Sequence, residues 1–208
     1  MRAAPALRGG LVARLAWLVV GLFLFSCGIV FFLASRLGLP PWDVLHQGIA
    51  KHTPLSFGAA NEVVGVMVLV LAWSLGARIG VGTAANALLI GLFVVLLQPV
   101  VATDVIAGIA LPGRIALLAV GLVLFGVGSA LYIGAALGAG PRDSLMLVGA
   151  RRTGFCLGWV RALIESTVLL AGFALGGHVG VGTVVFAALI GPAVETSFWL
   201  FSRTALAR

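Results

Sequence analysis

The sequence predicts an all-α polytopic membrane protein of six transmembrane helices, arranged as two inverted three-helix repeats, each with a short extra helix. Three observations carry this. The 208 residues are 62% hydrophobic and 9% charged, with a mean hydropathy of +1.21, whereas soluble domains carry about 25% charged residues. Six stretches are long and apolar enough to cross a bilayer, which takes about 20 residues each. The chain also matches itself at a shift of 100 residues. These features exclude a soluble enzyme, a disordered chain and a disulfide-stapled secreted module. Cys27 and Cys156 both lie in apolar context and supply neither a metal site nor a disulfide framework.

The six expected spans are 15–37, 57–75, 81–103, 115–137, 157–176 and 181–201. Gly38-Leu39-Pro40-Pro41 follows the first, and Gly76 to Gly82 separates the second from the third. Asp104 and Pro112-Gly113-Arg114 mark the middle, Gly138-Ala139-Gly140-Pro141 follows the fourth, and Gly176 to Gly182 separates the last two. The apolar runs are too long for strands and do not alternate. Arg2, Arg8 and Arg14 ahead of an apolar run resemble a signal peptide, with Leu24-Phe25-Ser26-Cys27 as a loose lipoprotein cleavage site. The apolar run continues past Cys27, and the same segment recurs later without the cysteine. The first segment is therefore expected to stay as a span.

The net charge of +7 reports topology and not nucleic acid, because the basic residues fall between apolar runs. With the N-terminus inside, the inner segments hold Arg2, Arg8, Arg14, Arg78, Arg142, Arg151, Arg152, Arg161, Arg203 and Arg208. The outer segments hold only Arg36, Lys51 and Arg114. This bias predicts a membrane protein with both termini cytoplasmic.

The repeat is the strongest feature. Over 21–95 and 121–195 the ungapped match gives 26 identities in 75 positions. It aligns Pro41, Asp43 and Thr53 with Pro141, Asp143 and Thr153, and Gly80-Val81-Gly82-Thr83 with Gly180-Val181-Gly182-Thr183. Repeat one covers about 11–103 and repeat two about 113–203 of a single transmembrane domain. Three spans is an odd number, so the second copy enters the membrane from the opposite side. Inverted repeats of this kind are common in secondary transporters, with sites near the repeat interface. Residues 41–52 and 141–152 read as short helices, interfacial or re-entrant. Each has Pro near its first position and Asp in its first turn.

The chain resembles the YczE-like bacterial integral membrane proteins of the YitT/YyaS group. The resemblance rests on Leu37-Gly-Leu-Pro-Pro-Trp-Asp-Val-Leu-His-Gln-Gly48, Leu55-Ser-Phe-Gly58 and Gly80-Val-Gly-Thr-Ala-Ala-Asn-Ala-Leu-Leu-Ile-Gly91. It implies a plasma-membrane protein of about this size, and brings no activity or substrate with it. Repeat two keeps only Pro141, Asp143 and Leu145 of the Trp-Asp-Val-Leu-His-Gln region, so any role of Trp42, His46 or Gln47 is asymmetric.

Six charged residues are candidates for a solute or ion path. Asp43 and Asp143 are equivalent acids, which either form paired cation or proton sites or satisfy first-turn amides. Glu62 lies early in span two without a partner in its own span. Arg161 and Glu165 are four residues apart in span five and can pair with each other. Glu195 lies near the middle of span six, where repeat one has Val95. It follows Gly191-Pro192, which is expected to disturb the helix and leave a buried carboxylate beside free carbonyls or paired with Arg161. The Gly-Val-Gly-Thr motifs are read as Thr N-caps. Trp17, Trp73 and Trp199 fit an interfacial belt, and the 29 glycines fit close helix packing.

His46, His52 and His178 form no catalytic constellation, so the expectation is no enzyme, no cofactor and no metal centre. No Walker motif is present. The first functional reading is a small secondary transporter or channel for an unknown solute or ion, with proton- or cation-linked carboxylates. The alternatives are a non-transporting membrane partner or regulator, or a substrate-binding membrane subunit of a larger transporter. Beyond the lipid bilayer, a homodimer or a membrane protein partner is possible, and nucleic acid is not expected.

Overall fold

The computed structural model describes residues 10–101 and 108–204. Its helices are α1 (Leu11–Ser35), α2 (Pro41–His52), α3 (Phe57–Ser74), α4 (Val81–Val101), α5 (Leu111–Gly134), α6 (Pro141–Thr153), α7 (Leu157–Ala174) and α8 (Val181–Ser202). No strand occurs among the described residues. Six helices are long and apolar enough to span a bilayer, namely all but the short α2 and α6. Arg2, Arg8, Asp104 and Arg208 lie outside the described residues.

The first and fourth spans start about four residues earlier than the sequence predicts, and end two or three earlier. Their ends are set by backbone geometry. Arg36 and Ala136 both turn to a φ of 53°, and Gly38 and Gly138 follow at 122° and 133°. The expected break at Pro112-Gly113-Arg114 is instead the first turn of α5, where the missing proline N–H would have been unpaired anyway. The expected disturbance at Gly191-Pro192 is also absent, since α8 runs through Pro192 unbroken.

α1 and α5, which the shift of 100 equates, pack antiparallel at the centre. A Cβ on Gly21 would stand 2.6 Å from Tyr132 N and 2.8 Å from Gly128 O, and one on Gly28 would stand 2.9 Å from Gly121 O. Only glycine allows this backbone approach. Above the seam, Phe25 meets Phe125 edge-on at 4.6 Å, and Phe125 meets Phe186 at 5.1 Å.

Contacts in one half recur in the other. Gly82 N–H donates to Leu137 O at 2.9 Å, and Gly182 N–H donates to Leu37 O at 2.7 Å. Thr83 Oγ1 accepts from Gly80 N–H at 3.1 Å, and Thr183 Oγ1 from Gly180 N–H at 3.2 Å. These threonines thus sit in the first turn and reach back to the preceding glycine, instead of serving as N-caps. The short helices cross over: α2 packs on α7, and α6 packs on α3. Half of α2 is buried, Asp43 and His46 included, so it lies inside the bundle and not along its surface.

One relationship is not repeated. α3 packs along α4, but α7 and α8 hardly touch. A Cβ on Gly58 would meet Gly91 O at 2.8 Å, whereas Gly158 and Gly191, their equivalents, have nothing within 4 Å. The spans of α3 and α4 are 39% and 33% buried, those of α7 and α8 only 11% and 6%. The first seam is closed and the second is open.

Candidate functional site

The open seam leads into a cavity of about 310 Å³. Its walls pair equivalent positions of the two halves: Phe25 with Phe125, Trp42 with Arg142, Asp43 with Asp143, Asn86 with Phe186, and Ile90 with Ile190. The cavity therefore straddles the internal repeat, and both short helices start on it.

The cavity collects five of the six sequence candidates: Asp43, Asp143, Arg161, Glu165 and Glu195. Asp43 is buried in the first turn of α2, with Oδ1 3.2 Å from His46 Nδ1. The same ring nitrogen lies 3.1 Å from the Asn61 amide. Burial pushes His46 below its ordinary value, against the opposing pull of the Asp43 hydrogen bond. The imidazole is therefore neutral at pH 7 and does not cancel the Asp43 charge. Asp143 accepts a hydrogen bond at Oδ2 from the Tyr132 hydroxyl at 2.9 Å. Among the described residues neither acid is held by first-turn amides; Asp43 is held by His46 one turn along α2 and Asp143 by Tyr132 on the cavity wall.

Arg161 donates to Glu165 at 2.9 Å, one turn along α7. That pairing leaves Glu195 without a partner among the described residues. Glu195 is also exposed, on the cavity wall at the open seam. The expectation of a buried carboxylate beside a broken helix is corrected on both counts, because α8 is continuous and its neighbour α7 stands away. Glu62 is the candidate the structure places elsewhere. It packs against Gly91 in the closed α3–α4 seam.

Sequence reading missed Arg142, Trp42 and Tyr132 as site residues. The Arg142 guanidinium lies over the Trp42 ring, 4.9 Å from its centroid. Burial lowers its pKa, and Asp43 and Asp143 oppose that effect. A signal was available, because Arg142 adjoins Asp143 and is the counterpart of Trp42. The Trp42 indole N–H is buried with no partner among the described residues. Neither free cysteine lines the cavity: Cys27 is half-buried in α1 and Cys156 is exposed at the start of α7. No group of three metal-ligating side chains occurs among the described residues.

A family model described as "Family of unknown function (DUF6198)" matches residues 12–197. The chain belongs to the DUF6198 family. It is similar to an uncharacterized protein of Haemophilus influenzae, at 38% identity over 178 residues, covering 86% of this chain and 80% of that one. It is similar to the uncharacterized membrane protein YczE of Bacillus subtilis, at 34% identity over 187 residues and 87% and 83% coverage. YyaS of the same organism is 25% identical over 193 residues, with 86% and 92% coverage. No solved structure matches. The YczE-like resemblance and the six apolar helices agree: this DUF6198 protein is a multi-pass membrane protein.

Proposed function

We propose that this DUF6198 protein is a small secondary transporter whose solute site is the cavity between its two halves. One observation carries the reading: the equivalent seams differ, α3–α4 closed and α7–α8 open, with a charged cavity behind the open one. α1 and α5 run antiparallel, as an inverted repeat requires. In such a protein the two halves can exchange conformations, so that the closed seam opens as the open one closes. The cavity is then reached from alternate sides. With both termini in the cytoplasm, the α7–α8 seam faces inward. Glu195 and the Arg161–Glu165 pair then stand in water at the open seam, which avoids the roughly 2.5–3.5 kcal/mol cost of a charge facing lipid at mid-span. The carboxylates provide the sites through which protons or cations couple to the solute. The reading is a carrier and not an enzyme.

A second reading rests on the uncovered faces of α7 and α8, which could dock a membrane partner instead of closing on each other. A thermal-shift screen of purified protein separates the two, using amino acids, vitamins, metal ions and organic ions on wild type and Glu195→Gln. A ligand at 100 times its dissociation constant stabilises by about 2.7 kcal/mol. A hit lost in Glu195→Gln supports the carrier. A blank panel with both proteins equally stable favours the docking face.

A further inference from the structure

We infer that the cavity takes a small organic cation, with its charged head among Asp143, Glu195 and Asp43 and its apolar body against the aromatic wall. The inference rests on the solute-site reading and adds its substrate class.

The charge count comes first. Four carboxylates line the cavity, Asp43, Asp143, Glu165 and Glu195, against two guanidinium groups, Arg142 and Arg161, which leaves two negative charges uncompensated. The pairings place that excess. Arg161 is taken by Glu165 at 2.9 Å. Arg142 is the only other cation, and both Asp43 and Asp143 act on it. Glu195 and one aspartate therefore stand unmatched. His46 does not cover the difference, because it is neutral. A cavity holding surplus carboxylates is completed by a cation or by protons.

The second observation is the wall. Phe25, Phe125, Phe186 and Phe198 line the cavity with Tyr132 and Trp42. Trp42 already carries a guanidinium at cation–π distance, so the wall accommodates an organic cation supplied by the chain itself. A hydrated metal ion would leave this aromatic surface unused, and the described residues hold no cluster of metal ligands.

The competing class is an anion or zwitterion anchored on Arg142. The test uses one aromatic body with three heads: 2-phenylethylamine, 3-phenylpropionate and phenylalanine. Binding to the full-length protein in detergent is read by calorimetry and by thermal shift. The inference predicts that the amine binds at least about tenfold more tightly than the other two. It also predicts that Glu195→Gln and Asp143→Asn each weaken the amine by about tenfold while leaving the melting temperature without ligand nearly unchanged for the exposed Glu195. Equal or tighter binding of phenylpropionate or phenylalanine overturns the cation class and leaves the solute site standing with Arg142 as its anchor. No binding by any of the three also overturns it, and the broader panel then decides whether the cavity binds solutes at all.

Discussion

Arg14 and Arg114 each close the C-terminal end of the helix that carries the other. Arg14, on α1, donates to the carbonyls of Ala135 at 2.7 Å and Ala136 at 2.5 Å, at the end of α5. Arg114, on α5, donates to Ser35 and Arg36 at 2.7 Å each, at the end of α1. The two residues are 100 apart, and so are their targets. A cation suits a helix C-terminus, where carbonyls lack partners. Arg14→Ala and Arg114→Ala are each expected to lower stability by about 1–2 kcal/mol. Lys at either site should restore only part of it, because a point charge cannot bridge two carbonyls. Thermal unfolding in detergent checks this, and an effect confined to one of the two sites would contradict the reciprocal arrangement.

The two seams predict opposite responses to bulk. Gly58→Leu or Gly91→Leu should cost about 1–3 kcal/mol through overpacking. Gly158→Leu or Gly191→Leu should stay within about 0.5 kcal/mol, since nothing surrounds them. Denaturation midpoints of the four variants measure the difference. Four equal losses would mean that the second seam is normally closed.

How far the sequence reveals this fold follows from the kind of signal. The spans, the short helices and the repeat are legible because they rest on hydropathy and on glycines that packing fixes. That Asp43 and Asp143 take equivalent places, each in the first turn of a short helix, is legible too once the repeat is seen. The open seam is not. Gly158 and Gly191 match their partners Gly58 and Gly91 letter for letter, and only the packing of α7 and α8 separates them. Arg142 reads in the sequence as an inside loop charge, although the crossing of α6 into the bundle carries it onto Trp42. Glu62 stands out in the sequence for lacking a partner on its own helix, and the structure sets it against α4.

His46 links stability to pH. Burial holds its folded-state pKa below the ordinary histidine value of 6.5. The unfolded chain therefore binds the proton first on acidification, so stability is full above about 6.5 and falls as pH drops below it. The slope attributable to one group is at most about 1.4 kcal/mol per pH unit. His46→Leu should remove this component, and it should cost about 1–3 kcal/mol for the one buried group, Asp43 or Asn61, that loses its Nδ1 hydrogen bond. Melting curves between pH 8 and pH 5, roughly the window of histidine titration, check both effects.

The Arg161–Glu165 pair should contribute little to folding. It is an i,i+4 pair on a partly exposed face, for which about 0.3–0.5 kcal/mol is typical. A double-mutant cycle with alanine at both positions measures it. A coupling of several kcal/mol would place the pair in a dry, closed environment and contradict the open seam.

The most direct test is the distance across each seam in lipid vesicles, read by double electron–electron resonance on spin-labelled cysteines. Equivalent pairs are available in a Cys27→Ala background: Ser56→Cys with Leu96→Cys across α3–α4, adding Cys156→Ser, and native Cys156 with Thr196→Cys across α7–α8. Exchange between the halves gives two populations at each seam, the long one at either matching the short one at the other. It also predicts that Gly158→Leu leaves only the long α7–α8 and the short α3–α4 distance. A single distance at each seam, unmoved by Gly158→Leu, would contradict exchange between the two halves.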